Sequence, residues 1–342
     1  MSNNFLYVAS FIKKNIKKLL YPIIYSYTAY KLFDFINRLS GYRKEKLRFF
    51  LKVGYYPDLK NPRSFNEKVL WKKIYDRNPL LSVISDKFAV RQYIKDVLGE
   101  QEAEKILIPL YYVTNKPQTI PFNDLPEEYA IKPNHASRRA IFAEGTGEQK
   151  KYIIIYGGIK KTIFDSEIAK IEIVNTCKEW LLIPYNFRKF EWAYQKIKRK
   201  IVIEKLLRDS SGKMPVDYKF SIFHGKCQMI QIFHNRYIDM TRGFYTPEWN
   251  YISVKGVTQQ APFEKKPENL KSMIDLAESL GKTFDYVRVD LYSINNRIYF
   301  GELTCYPMSG SNPFDPVSFD FELGKYWNII PNYWNLKKNT PG

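Results

Sequence analysis

The sequence predicts an α+β fold with mainly antiparallel sheets, preceded by a helical N-terminal region. Three observations lead there. Helical periodicity and capping signals dominate the first hundred residues. From about residue 107 short runs rich in β-branched and aromatic residues take over, and most neighbouring runs look like hairpins. Helical segments are interspersed among these runs rather than placed after every strand, which disfavours a doubly wound parallel sheet.

Residues 1 to about 60 are helical, aromatic and basic in pattern. Within them Phe5, Val8, Ile12, Ile16, Leu19, Leu20 and Ile23 recur at helical spacing, with Lys13, Lys14, Lys17 and Lys18 between them. That pattern fits an interfacial helix on an anionic membrane or a helix packed on its own domain. Pro57-Asp58 and Asn61-Pro62 punctuate a loop. Ser64 followed by Glu67 is a capping-box spacing, opening a helix through Val69, Leu70 and Ile74. A second helix is expected over about 81–98, stopped by Gly99.

Strands are expected at 108–113, 129–132, 140–143 and 200–205. Runs 218–223 and 227–234 flank His224-Gly225-Lys226 as a hairpin. Leu270, Met273, Ile274, Ala277 and Leu280 mark a helix between Pro267 and Gly281. The expected organisation is therefore a basic helical region at 1–60, a helical or α+β part at 61–130, a first subdomain at 131–205, a second at 206–330 and a tail at 331–342.

The most informative stretch is 287–302. Val287, Val289 and Leu291 alternate with Arg288, Asp290 and Tyr292, and Asn295-Asn296 supplies a tight turn. Arg288 and Asp290 share a face because strand side chains repeat every second residue. With Glu302 on the return strand they suit a divalent metal holding a phosphate chain. A solvated strand face is the alternative.

Composition narrows the partners. The 342 residues are 45% hydrophobic and 16% aromatic, as expected of a folded chain. A net charge of +19 and a pI near 9.5 imply an anionic partner. No RNA-recognition signature, zinc-finger spacing or Arg-rich tail is present, so nucleic acid is not expected. Cys177, Cys227 and Cys305 form no CxxC pair and are expected to be thiols. His135, His224 and His234 lack metal-ligand spacing. No apolar run reaches the length of a membrane-spanning helix.

An ordered set of polar positions follows: Lys132 ending one strand, Glu204 and Lys205 on another, Asp217 and Lys219 opening a third, then Arg288, Asp290 and Glu302. This set resembles the ATP-grasp superfamily, and more closely the TupA-like ATP-grasp family of bacterial surface-polysaccharide genes. Asn61-Pro62-Arg63-Ser64-Phe65-Asn66-Glu67-Lys68, Tyr75-Asp76-Arg77-Asn78-Pro79, Asp86-Lys87-Phe88-Ala89-Val90-Arg91 and Gly301-Glu302-Leu303-Thr304-Cys305-Tyr306-Pro307 extend the likeness over roughly 45–325.

The resemblance implies two α+β subdomains clasping ATP. By it, Lys132 reaches the α/β-phosphates, and Glu204 with Lys205 forms the hinge that binds adenine and ribose. Asp217 and Lys219 join the nucleotide site, with Lys219 on a phosphate. Arg288 lies near the γ-phosphate or an acyl phosphate, and Asp290 and Glu302 bind Mg²⁺. His135 is a further candidate for phosphate or substrate. The implied reaction is carboxylate–amine ligation in capsule or cell-surface polysaccharide synthesis, on an acidic sugar or glycan. The implied location is the cytoplasm, with the basic N-terminus suited to the inner face of the cell membrane. The alternatives are a glycosyltransferase of that pathway using a sugar nucleotide, or an inactive nucleotide- or glycan-binding relative.

Two departures bear on this. The family usually carries Asn-His-Gly-Ser-Gly-Gly after the lysine, where this chain has Asn134-His135-Ala136-Ser137-Arg138-Arg139. Either Arg138 and Arg139 bind phosphate with side chains, or the loop no longer closes over ATP. Thr304 also stands where many ATP-grasp sites place Asn.

Overall fold

The computed structural model describes residues 21, 23–24, 26–234, 241–256, 259–261 and 263–332. The amphipathic pattern over residues 5–20 therefore lies outside the described residues.

Two helices, α1 (Tyr27–Leu39) and α2 (Arg43–Val53), come first. The capping box forms as the sequence predicts: α3 (Phe65–Tyr75) starts at Ser64, whose side chain accepts from the Glu67 amide while Glu67 accepts from the Ser64 amide. The helix expected over 81–98 is broken in two. Residues Leu80–Ile84 form α4 and Val90–Leu98 form α5. The break has a physical cause at Asp86, whose Oδ1 accepts from the amides of Phe88 (2.8 Å) and Ala89 (3.2 Å). A side chain that caps local amides competes with continued helix. Gly99 ends α5 at positive φ, and α6 (Glu100–Ile106) begins at once.

The first sheet has the order β1-β6-β2-β3-β4-β5 and is antiparallel throughout. Its strands are β1 (Leu110–Thr114), β2 (Tyr129–Pro133), β3 (Arg139–Glu144), β4 (Lys151–Tyr156), β5 (Ile159–Ile163) and β6 (Ile201–Lys205). β1, placed by sequence in the segment before residue 130, is thus an edge of this sheet. One face, including Ile131, Ile141, Ile154 and Ile203, packs on Ala169, Ile173, Cys177 and Trp180 of helix α7 (Ser166–Leu182).

The second sheet has the order β10-β9-β8-β7-β11-β12. It comprises β7 (Asp217–Phe223), β8 (Lys226–His234), β9 (Thr241–Tyr245), β10 (Gln259–Gln260), β11 (Tyr286–Ile294) and β12 (Arg297–Thr304). Only the short β9–β10 pair is parallel. Phe220, Ile222, Ile230, Ile232, Val287, Val289 and Leu291 share a core with Leu270, Met273, Ala277 and Leu280 of helix α8 (Leu270–Gly281). Strand alternation turns the polar residues of the same strands to the other face.

The N-terminal helices are tied to this sheet by buried polar hubs. Lys72, fully buried, bonds Asp76 (2.7 Å) and Asp285 (2.5 Å), and Asp285 also accepts from Trp327 Nε1 (2.9 Å). Asn66 donates from its amide to Asp320 and from Nδ2 to Asp320 and the Asn312 carbonyl, and its Oδ1 accepts from the Asn312 amide. Asp320 lies in the first turn of the last helix, α9 (Ser318–Lys325). Two of the short sequence signatures thus supply anchors of the fold.

Candidate functional site

The polar face of the second sheet is set by register. In the β11–β12 ladder Arg288 pairs with Thr304 and Asp290 with Glu302, and across β7 Asp290 pairs with Lys219 and Tyr292 with Asp217. Asn295 and Asn296 both have positive φ, as the two-residue turn requires. Counting back from that turn, regular pairing would set Asp290 against Gly301. A bulge between Asp290 and Leu291 inserts Gly301 and brings Glu302 opposite instead. Gly301 is suited to the spot, because a Cβ there would lie 3.0 Å from the Asp290 carbonyl oxygen.

These side chains form one ionic cluster. Arg288 grips Asp290 with two nitrogens, Nε to Oδ1 at 2.6 Å and Nη2 to Oδ2 at 2.7 Å. Its Nη2 also reaches Thr304 Oγ1 at 3.0 Å and Glu302 at 3.3 Å. Lys219 bonds Asp217 at 2.6 Å and also Asp290. Burial opposes the charge on Arg288, but Asp290 and Glu302 outweigh it and hold its guanidinium above the ordinary range. Burial pushes the Asp290 carboxyl upward, with Arg288 and Lys219 opposing.

The first sheet presents Lys132 and Glu204, joined at 2.5 Å, on the face away from α7. The loop after Lys132 is pinned by Asn134. Its Nδ2 donates to Asp86 Oδ1 (2.9 Å) and the Lys198 carbonyl, and its Oδ1 accepts from the Lys200 amide. Lys87 Nζ donates to the Ala136 carbonyl (2.7 Å) and lies 4.0 Å from Glu302 Oε2. The segment that breaks the 81–98 helix therefore carries a cation into the seam between the sheets. Lys87 was not singled out by sequence, although it lies inside a quoted signature.

A cleft of about 670 Å³ runs along this seam, lined by Lys87, Arg138, Lys219, Arg288, Glu302 and Thr304 among others. Beside it, Ala130, Phe142, Leu206, Leu207, Met214 and Phe233 line a smaller apolar slot that Lys132, Glu204, Lys205 and Asp217 also border. The hydrophobic residues of this slot leave no periodic signal in the sequence, because they come from five separate stretches.

Of the other expected residues, Arg138 is exposed and lines the cleft. Its φ of +58° is a conformation glycine adopts freely and other residues rarely do. Arg139 turns aside, its guanidinium 5.1 Å from the ring centre of Tyr156. His135 is a correction: it is fully buried, with Nδ1 3.3 Å from Asn134 Oδ1 and Nε2 3.3 Å from the Ile183 carbonyl. Burial, then the charge of Arg199, pushes its pKa down to about 3. In this structure it supports the loop and does not face the cleft. The three cysteines are free, and burial pushes each thiol up to about 12, so none is a ready nucleophile.

Asp290 and Glu302 fit a hard divalent ion in donor type, since both offer oxygen. Among the described residues no group of three or more His, Cys, Asp or Glu could hold a metal. A divalent ion there would need its remaining ligands from water or phosphate.

The chain is thus an α+β protein whose two sheets flank a cation-lined seam. The family model "TupA-like ATPgrasp" matches residues 67–328, and the chain belongs to that ATP-grasp family. No curated protein matches the chain. Among solved structures it is similar to D-alanine–D-alanine ligase from Bacillus anthracis, at 18% identity and TM-score 0.38, covering 66% of this chain and 59% of that one. The ATP complex of that ligase gives 17% identity, TM-score 0.40 and coverage of 76% and 69%. The L-amino acid ligase from Bacillus licheniformis gives 11%, TM-score 0.38 and coverage of 70% and 48%. The chain spans about three-fifths of the first of these ligases.

Proposed function

We propose that the protein is a Mg-ATP-dependent carboxylate–amine ligase acting on an acidic sugar or glycan of the bacterial surface. The observation that carries this reading is the Arg288–Asp290–Glu302–Lys219 cluster at the seam of the two sheets, in a chain of the ATP-grasp family. The apolar slot beside Lys205 and Leu206 suits adenine, and Glu204 suits the ribose hydroxyls. Lys132, Lys219, Lys87 and Arg138 supply positive charge for the triphosphate. Asp290 and Glu302 would hold Mg²⁺, which would supply charge neutralisation at the phosphate oxygens.

The chemistry asks little covalent work of the protein. A carboxylate oxygen attacks the γ-phosphorus, the bond to the β-phosphate oxygen breaks, and ADP leaves. An amine then attacks the acyl carbon of the acyl phosphate, phosphate departs, and the amine gives up a proton. Arg288 stabilises charge on the transferred group, and the cleft fixes the reactants.

Work beside a membrane is part of the proposal. On α1, Leu32, Phe35, Ile36 and Leu39 are exposed at helical spacing, and on α2 so are Leu47, Phe50 and Leu51. Lys31, Arg38, Arg43 and Lys44 lie exposed among them. An apolar face rimmed by cations suits an anionic lipid surface. No helix among the described residues is long and apolar enough to cross a membrane.

The test is hydroxylamine trapping. Protein, Mg-ATP and a panel of uronic acids with hydroxylamine should yield a hydroxamate and ADP in equal amounts. ADP formation without hydroxamate across the panel, or consumption of a UDP-sugar instead, would contradict the proposal.

A further inference from the structure

On β9, three strands from Arg288 across the sheet, stands an arginine that the nucleotide reading does not use. Arg242 is 5% exposed, and it lines the same cleft as Lys219, Arg288 and Glu302. Its Nη1 donates to Asn312 Oδ1 at 3.2 Å. Nε and Nη2 are buried and have no hydrogen-bond partner among the described residues. No carboxylate is paired with it there. It is flanked by rings, with Phe244 4.7 Å and Phe233 5.8 Å from the guanidinium carbon.

A buried guanidinium without an anion is costly, because desolvation is not offset by a partner. Burial and then the nearby charge of Arg288 lower its pKa to about 10, so it remains charged at neutral pH. The surroundings fix it rather than relieve it. Asn312 is itself held by Asn66, and the chain at Gly256 passes so close that a Cβ would meet Nη2 at 1.5 Å. A preorganised fork with unused donors beside a cleft is the arrangement that binds a carboxylate or a phosphate.

The position separates this group from the Arg288 end of the cluster, while the ring of Phe233 stands between it and the apolar slot. Across the ladder Arg242 is level with Phe233, Asp217 and Tyr292, so three strand spacings and a four-residue offset put its backbone roughly 20 Å from that of Arg288. Arg242 does not border the apolar slot, and Ser309 and Ser311 line the cleft with it. We propose that Arg242 binds an anionic group, a carboxylate or phosphate, on the non-nucleotide substrate, remote from its reacting end. This inference rests on the ligase reading and gives the substrate a second feature: charge at one end and a reacting group at the other.

The test uses the full chain saturated with Mg-ADP, titrated with malonate or with inorganic phosphate at constant ionic strength, and read as the thermal midpoint. A bound ligand raises the midpoint by mass action. The expected result is a saturable rise with at least one anion, which separates carboxylate from phosphate. In Arg242→Met the half-saturating concentration should rise at least tenfold, with Mg-ADP affinity within twofold of the starting protein. Arg242→Lys, which keeps charge without the fork, should fall between and serves alone if the methionine variant does not fold. Three results would overturn the proposal: no response beyond that to chloride, an unchanged half-saturation in the variants, or a selective loss of Mg-AMP-PNP over Mg-ADP affinity, which would assign Arg242 to the γ-phosphate. If Mg-ADP itself fails to bind, the ligase reading fails separately, and the anion titration without nucleotide still decides for Arg242.

Discussion

Glu302 stands directly across from Asp290, although counting from the Asn295-Asn296 turn would put Gly301 there. Both carboxylates share one face only because the bulge holds an extra residue. Without it Glu302 would oppose Val289 and point into the core. Gly301→Val crowds the Asp290 carbonyl and the Tyr292 ring. It should cost about 1–3 kcal/mol of stability. It should also weaken Mg-nucleotide binding by more than the stability loss explains. Denaturant melts beside calorimetry check this, and normal affinity in a destabilised variant would show that the register is not what matters.

Arg138 occupies a left-handed conformation, φ +58°, in the loop after Lys132. That backbone shape suits glycine better than a residue with a side chain. Arg138→Gly should therefore stabilise the free protein, by about 1 kcal/mol. If the side chain has taken over phosphate binding, ATP affinity should fall at the same time. Higher stability with unchanged affinity would mean that Arg138 serves no phosphate.

His135 sets a pH dependence. Its folded pKa, about 3, lies below the ordinary 6.5, so the native state favours the neutral ring. The associated stability is complete above pH 6.5 and is lost as pH falls toward 3. The slope from this group alone is about 1.4 kcal/mol per pH unit. His135→Gln should flatten the fall between pH 6.5 and 4.5 in denaturant melts. Identical slopes would place the acid sensitivity elsewhere.

Lys72 is the cation between Asp76 and Asp285, all three buried. Lys72→Met leaves two carboxylates in the interior without it, and should cost about 3–5 kcal/mol. The loss should appear as a lower midpoint with nucleotide affinity per folded molecule retained, since the hub anchors α3 and does not line the cleft.

How much of this was legible in the sequence follows physical lines. The Ser64–Glu67 cap, the 287–302 hairpin and the Pro267–Gly281 helix came through because their signals are local. The break at Asp86 did not, because a partner 48 residues away, Asn134, helps to hold it. Helix α7 and strands β4 and β5 lie outside the elements expected from the sequence. The polar order Lys132, Glu204, Lys219, Arg288, Asp290, Glu302 was readable as a series. The burial of His135 and the isolation of Arg242 were not, since both depend on what packs around a side chain rather than on its neighbours in the chain.

The most direct test of the account is calorimetric titration of Mg-ATP into the wild-type chain, Glu302→Gln and Asp290→Asn. Asp290→Asn removes a buried charge held by Arg288 and Lys219 and should also destabilise the fold by about 3–5 kcal/mol, so Glu302→Gln is the cleaner probe. The account predicts Mg-dependent binding to the wild type, and loss of the Mg-dependent part in Glu302→Gln with the thermal midpoint little changed. Equal ATP affinity with and without Mg²⁺, or an unaltered titration in Glu302→Gln, would contradict it.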